Sequence, residues 1–531
     1  MNVAFEDWIP VVTTAGKRQL ASLCDVLAGG DQFADLAVRP HERVALMRLL
    51  LCVAHAALDG PKDYDEWCDV PSRLPVAARQ YLERWKESFE LFHPKKPWLQ
   101  VATLKGVEKS DGTSGKSSPV AFLDFELATG NSSTLHDHQG MAQCRHIEFS
   151  RIALNLLSFQ NFSLGGGLPV AQWKETRTKQ VGNPDSPCIS QSMAHCLLRG
   201  NCLADTLHLN LPTFEKLAMA YGVSLEKDGK GGVLGKPVWE CFPNSPKDSR
   251  RVENATRTYL GRLVPISRWV RLIKGSDQMY CCSGFKYDTY KDGFFAEPTS
   301  AVRVVAKTDK RGFRTEERQI VGIRPDKAIW REVPALLVKR SAEGLGGPLA
   351  MENADIRREF DFHVCAMIRD QASMDVGVES VFHVFPGFQS NIAAYDEEVR
   401  HAEKISQRLW LAIEAYRIEI DGYWRRRVET TPAKDRHKLK NRLTQRASLS
   451  YWTAVEKNLS LLIAYVEAIG TDNAPNMRQA WRRMLFASVC DAYRLACGQE
   501  TPRQIRAFAE GWGRLTNRKR ETASKDKEDE A

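Results

Sequence analysis

The sequence predicts an α+β protein: a large mixed N-terminal domain over residues 1–388, an all-α C-terminal four-helix bundle over 389–516, and a disordered charged tail over 517–531. Three observations predict it. Strand-like and helix-like segments mix without a regular alternation up to Pro386. From about Asn391 strand signals almost cease and apolar residues recur at helical spacing. The last residues, Glu521 to Ala531, are charged and free of aromatics, so they have no apolar surface with which to offset the entropy of ordering.

The elements follow in order. Trp8, Ile9, Val11 and Val12 favour extended backbone, and Pro10 among them suits an edge strand. From His41 to Ala57, Val44, Met47, Leu50, Leu51 and Ala54 keep one helical face apolar. A second helix fits Ala77 to Phe92 and stops at His93-Pro94, where the residue before proline is pushed out of the α region. A third fits Cys144 to Phe159 and runs into SLGGGLP, with Gly165, Gly166 and Gly167. The stretch from Gln172 to Pro187 is polar and includes Lys174, Arg177 and Lys179, and short strands fit Ala301 to Val305 and Gln319 to Ile323. In the C-terminal part three long apolar stripes predict bundle helices: Ile405, Leu409, Ile413 and Tyr416; Trp452, Val455, Leu459, Leu462 and Val466; Trp481, Met484 and Leu485. A shorter fourth helix covers Gln504 to Trp512.

Composition narrows function. The chain has 531 residues, of which 27% are charged, 43% are hydrophobic and thirteen are cysteine. The cysteines are odd in number, and Cys52, Cys490 and Cys497 sit inside apolar helical patterns, so a disulfide framework is not expected. No stretch approaches the ~18 apolar residues of a membrane span, and Glu6 and Asp7 break any secretory pattern; the chain reads as soluble and cytoplasmic, with no membrane partner. The formal charge of +9 divides unevenly: residues 401–531 carry 25 Lys+Arg against 17 Asp+Glu, and residues 1–400 carry 50 against 49. The densest run, WRRRVETTPAKDRHKLKNRLTQR, holds Arg425, Arg426, Arg427, Lys438, Lys440 and Arg442. It is either a solvated face or a track for a nucleic-acid backbone; Trp424 at its edge favours the track.

Catalytic motifs fail inspection. GKGGVLGKP resembles a P-loop, but Lys230 stands where the first glycine belongs and Pro237 where the magnesium-binding hydroxyl belongs. His136, Asp137, His138, Cys144 and His146 are metal-ligand types at a spacing that fits no standard zinc pattern, so a helix-capping cluster is the simpler reading. Cys281 and Cys282 read as buried small hydrophobes. The residues call for no cofactor and no metal. The three glycines either supply a turn with positive φ or let a backbone approach another surface closely, such as a DNA minor groove.

One family shares this order of features. VAFEDWIPV, ERVALMRLLLCVAHAALDG, YLERWKESFELFHPKKPWLQ, TLHDH, the glycine run, LLRGNCLADTLHLNLP and GGPLAMENADIRRE occur in an order that resembles CasA, the large subunit of the type I-E CRISPR surveillance complex Cascade. The resemblance covers almost the whole chain. It implies a non-catalytic subunit in antiviral defence that binds double-stranded target DNA, inspects the short PAM sequence from the minor groove, opens the duplex for an R-loop and holds the displaced strand. The implied partners also include the crRNA handle, the other Cascade subunits and a helicase-nuclease, with crRNA pairing reading the target sequence.

The resemblance also implies residue roles. Gly165, Gly166 and Gly167 fall on the family's PAM-reading glycine loop, where a degenerate minor-groove code would tolerate several PAMs. Asn353 falls on the amide position of the family's wedge, between Glu352 and Ala354, in place of the longer Gln common there. The family's base-reaching lysine falls at Gln278, with Lys274 four residues earlier as the other candidate. Phe122, rather than Phe125, falls on a loop that contacts the crRNA handle and the PAM side. Two other readings are a metal-dependent nuclease built on His136, His138 and His146 with Asp137, and an adaptor whose bundle binds only proteins.

Overall fold

The computed structural model describes residues 1–107, 115, 117–127, 146–220, 234–288, 297–308, 314–341, 345–355, 357–370, 373–421 and 433–516. The chain divides into two compact units, Met1–Val384 and Phe385–Ala531.

The first unit is built around the helix Pro40–Leu58. Proline at its first position needs no hydrogen-bond partner there, and Asp59, in the left-handed region at φ 48°, ends it. It is buried on every side from His41 to His55; most of that run is apolar, and charged members such as Arg48 and Glu42 are buried with ion-pair partners, Glu297 and Arg39. The helices Tyr64–Arg84 and Phe149–Phe162 pack against it. The first of these begins well before the predicted Ala77, because the Asp63 carboxylate caps it by accepting the Glu66 N–H at 2.9 Å. It also ends at Arg84; Trp85 leaves the helical region and a 3-10 turn, Lys86–Phe89, carries the remaining apolar residues inward.

Small antiparallel sheets surround this core. Arg18–Ala21, Ile9–Thr13 and Phe33–Leu36 form one, with Ile9–Thr13 in the middle rather than at the predicted edge. Pro10 is tolerated there because pairing with Phe33–Leu36 begins at Val11, and Pro10 contributes only its carbonyl, to the Ala37 N–H at 2.9 Å. Val302–Thr308 pairs with Arg314–Ile320; the first overlaps the predicted Ala301 to Val305, while the second meets the predicted Gln319 to Ile323 only at Gln319 and Ile320. The longest strands, Phe360–Asp370 and Ser373–Val384, form a hairpin whose first strand also pairs with His195–Arg199. A fourth sheet frames the candidate site: Ser118–Pro119, Gln278–Ser283 and Arg268–Leu272. Cys281 and Cys282 lie buried in its middle strand, as their apolar setting implied.

Among its described residues the second unit is helical: Ile392–Asp421, Ala433–Lys457, Leu459–Glu467, Ala474–Ala496 and Pro502–Leu515. The predicted stripe from Trp452 to Val466 is carried by two helices, parted at Asn458. The fully buried Glu398 binds Arg478 and Arg482 at 2.7 Å, tying the first of these helices to the fourth. Gly511 lets the last helix close in: a Cβ there would fall 2.0 Å from the Tyr493 hydroxyl. No helix among the described residues is long and apolar enough to cross a membrane.

Candidate nucleic-acid interface

The helix Phe149–Phe162 ends at Ser163, and the chain then forms the glycine loop. Gly166 has φ 105°, the left-handed half of conformational space that glycine enters without penalty, and open space surrounds it. Its N–H donates to the Asn183 carbonyl at 3.0 Å, and its carbonyl accepts from the Asn183 side chain at 2.8 Å. Gly165 is required for a different reason: a Cβ there would stand 2.1 Å from the Asn183 carbonyl. Its N–H donates to Asp185 at 2.9 Å. Gly166 and Gly167 are exposed, and the Gly167 N–H has no acceptor among the described residues.

What holds this loop is Arg268, a residue the sequence reading passed over. It is fully buried at the start of Arg268–Leu272, and its guanidinium donates to the carbonyls of Ser163 at 3.1 Å, Leu164 at 2.8 Å and Pro184 at 3.0 Å. Burial pulls its pKa down to about 10, and the group stays protonated at neutral pH. No carboxylate forms an ion pair with it among the described residues; backbone carbonyls accept from both terminal nitrogens, while the buried Nε has no hydrogen-bond partner among the described residues. Asp185 adds a second anchor, since it also binds Arg369. Only a cation inside the apolar run SRWVRL hinted at this role.

Arg268–Leu272 and Gln278–Ser283 form a hairpin, so the glycine loop shares a framework with the two candidate fingers. The Ile273 N–H closes the turn on the Gln278 carbonyl at 3.1 Å, with Gly275 at φ 77°. Lys274 is exposed at the tip. Gln278 is half-buried in the ladder, and its side-chain oxygen accepts from the Ser117 hydroxyl at 3.0 Å. The next strand leads into the 3-10 turn of Phe122. Phe122 is half-buried and meets Phe159 edge-on, with ring centres 5.5 Å apart; Phe125 stacks on the same Phe159 at 5.9 Å. Thus Phe122, Gln278, Lys274 and the glycine loop are joined through one hairpin and one helix.

Asn353 belongs to another part of the unit. It follows the 3-10 turn Leu349–Glu352, and its amide is fully occupied: it donates to the carbonyls of Leu209 at 2.8 Å and Leu211 at 3.1 Å and accepts from Lys216 at 2.8 Å. Glu352 pairs with Lys339 at 3.7 Å, and Ala354 is half-buried. All three line a cleft of about 1040 Å³ with Arg199, Arg357 and His383.

In the second unit, Arg425, Arg426 and Arg427 lie outside the described residues. Lys438, Lys440 and Arg442 lie on the helix Ala433–Lys457; Arg442 is exposed, and the side chains of the two lysines fall outside what the structure describes. His136, Asp137, His138 and Cys144 also lie outside the described residues, whereas His146 is exposed beside Glu148.

A family model described as CRISPR-associated protein Cse1 matches residues 2–492. The CRISPR-associated protein CasA/Cse1 of Thermus thermophilus is 27% identical over 552 residues, covering 97% of each chain. The crystal structure of Thermus thermophilus CasA superposes with a TM-score of 0.69 at 20% identity, over 97% of this chain and 98% of that one. Cse1 from Acidimicrobium ferrooxidans gives 0.68 at 18% over 97% of both chains, and a chain of a CRISPR RNA-guided surveillance complex gives 0.70 at 16% over 97% and 99%. At these identities the superpositions establish a common fold, and the family model spans nearly the whole sequence that produces it. The chain therefore belongs to the Cse1 (CasA) family of CRISPR-associated proteins.

Proposed function

We propose that the chain is the large subunit of a type I-E, crRNA-guided surveillance complex in antiviral defence. In this role it recognises the PAM beside a target, opens the duplex, holds the displaced strand and recruits the helicase-nuclease. Family membership and the likeness to a chain of an RNA-guided surveillance complex support the assembly. The observation that carries PAM recognition is the glycine loop. It is an exposed backbone whose Gly167 N–H has no acceptor among the described residues, buttressed from inside by a buried guanidinium. A minor groove presents base acceptors at its floor, and a backbone donor without a side chain can approach them.

The hairpin tip favours Lys274 over Gln278 as the base-reaching finger, because Lys274 is exposed while Gln278 is engaged by Ser117. Asn353 acts as a wedge after releasing its bonds to Leu209, Leu211 and Lys216. Phe122 supports the loop that faces the crRNA handle, and the bundle cations Arg425, Arg426, Arg427, Lys438, Lys440 and Arg442 supply the track for the strand backbone.

The test is a binding assay of the assembled complex on a randomised PAM library, with wild-type chain and Gly166→Asp. Wild type should select a subset of PAMs, and the aspartate, whose charge would face the groove, should remove the selection. Unchanged selection in Gly166→Asp would take the role away from the loop.

A further inference from the structure

The glycine loop continues into a ribbon whose far end carries a cluster of exposed positive charge. Gly166 bridges Asn183, the Thr178 N–H donates to the Ala171 carbonyl, and Gln172 pairs with Arg177, so residues 166–173 run antiparallel to 176–183 in one register. Lys105 pairs with Gln172 from the other side, making a three-stranded sheet of Lys105–Gly106, Ala171–Trp173 and Thr176–Arg177. Trp173 points into the core, whereas Gln172 and Arg177 point outward. Lys174 takes the turn at φ 52°, and its carbonyl accepts from the Gln172 side chain at 2.7 Å.

Lys105, Lys174 and Arg177 line one cleft of about 650 Å³ that has no carboxylate among its lining residues. All three are exposed, and none has an ion-pair partner among the described residues. Lys174 also borders a second cleft that adds Lys95 and Lys96. The single carboxylate lining that second cleft, Glu240, already accepts a hydrogen bond from the Tyr81 hydroxyl. Unpaired cations on an open face are the electrostatic complement of a polyanion, and flat strand edges suit a backbone better than a small anion.

We propose that Lys105, Lys174 and Arg177 form a sequence-independent phosphate clamp for the DNA duplex that leads up to the glycine loop. The proposal rests on the reading of that loop as the PAM reader. Six strand residues separate Gly166 from Gln172, which is roughly 20 Å of ribbon. For a duplex that follows the ribbon, about 3.4 Å per base pair puts the clamp about six base pairs from the PAM.

The experiment compares targets whose duplex extends about three or about twelve base pairs beyond the PAM, on either side of the reach estimated above. The assembled complex carries either the wild-type chain or the triple variant Lys105→Gln, Lys174→Gln and Arg177→Gln; the three positions are exposed, and circular dichroism confirms the fold. Wild type should bind the long flank about tenfold more tightly than the short one, and the variant should bind both like wild type on the short flank. On the long flank the slope of log affinity against log salt should fall by about 2.7, for three lost phosphate contacts. PAM selection should be unchanged in the variant, which separates the clamp from the glycine loop. If Gly166→Asp leaves selection intact while the flank effect still vanishes in the triple variant, the loop reading fails and the clamp stands. A variant that keeps the full flank effect overturns the clamp. So does one that loses affinity equally on both flanks together with affinity for the isolated crRNA handle, since the groove would then serve RNA.

Discussion

Arg268 shows how one buried side chain can shape an exposed loop. A loop of three glycines is entropically expensive to order, and its exposed face offers no packing to offset that cost. The buried guanidinium supplies fixed donors that gather the carbonyls of Ser163, Leu164 and Pro184, so both strands entering the loop are pinned at one point. Lysine keeps the charge but has no planar fork to bridge carbonyls from two strands. Arg268→Lys should therefore lower stability by roughly 3 kcal/mol, read by urea unfolding. It should also speed amide exchange at Gly166 and Leu168, whose N–H groups are paired with Asn183 and Gln180. A variant that unfolds at the wild-type urea concentration, with unchanged exchange, would show the fork to be dispensable.

At the scale of elements, a buried charge network joins helices that are distant in sequence. Glu297 binds Arg48 at 2.9 Å, from the central helix, and Arg262 at 3.1 Å, from the short helix Tyr259–Leu263; all three residues are under 5% exposed. Burial alone would raise the Glu297 pKa, but the two guanidiniums outweigh it and hold the value at about 2. The folded pKa lies below the ordinary carboxylate value, so the unfolded chain takes up the proton first as pH falls. This stabilisation is complete above about pH 4.5 and is lost towards pH 2, a change of roughly 3 kcal/mol. Thermal unfolding followed from pH 6 to pH 3 should show it, and Glu297→Gln should flatten the profile. The same variant should lose roughly 3–5 kcal/mol at neutral pH, because two buried guanidiniums lose their counter-charge. Which elements the sequence revealed follows from similar physics. The helix Pro40–Leu58 was legible over His41 to Ala57 from its apolar spacing. The strand Phe360–Asp370 was not, because it lies between two others and is buried on both faces from Phe362 to Ile368, which erases the alternation that marks a strand.

For the whole molecule, net charge by domain proved a coarse guide. The first 400 residues are almost neutral, yet that neutrality conceals segregation. Carboxylates such as Glu297 are spent on buried arginines, while Lys105, Lys174 and Arg177 remain outside with no ion-pair partner among the described residues. The glycine loop could be found in the sequence because consecutive glycines are a local signal. Its buttress could not, because Arg268 reaches it through side-chain hydrogen bonds across about a hundred residues, and of the cationic extension only Lys174 and Arg177 were visible nearby, since Lys105 joins them through strand pairing. The second unit carries most of the excess charge, and on the proposed reading that charge holds a strand backbone rather than a sequence. Neutralising Lys438, Lys440 and Arg442 to Gln in the assembled complex should therefore lower the salt slope of target binding by about 2 to 3. It should weaken retention of the displaced strand, followed by strand-specific nuclease protection, and leave the ranking of PAMs unaltered. An altered ranking with an unchanged slope would assign these residues to recognition instead of to the backbone track.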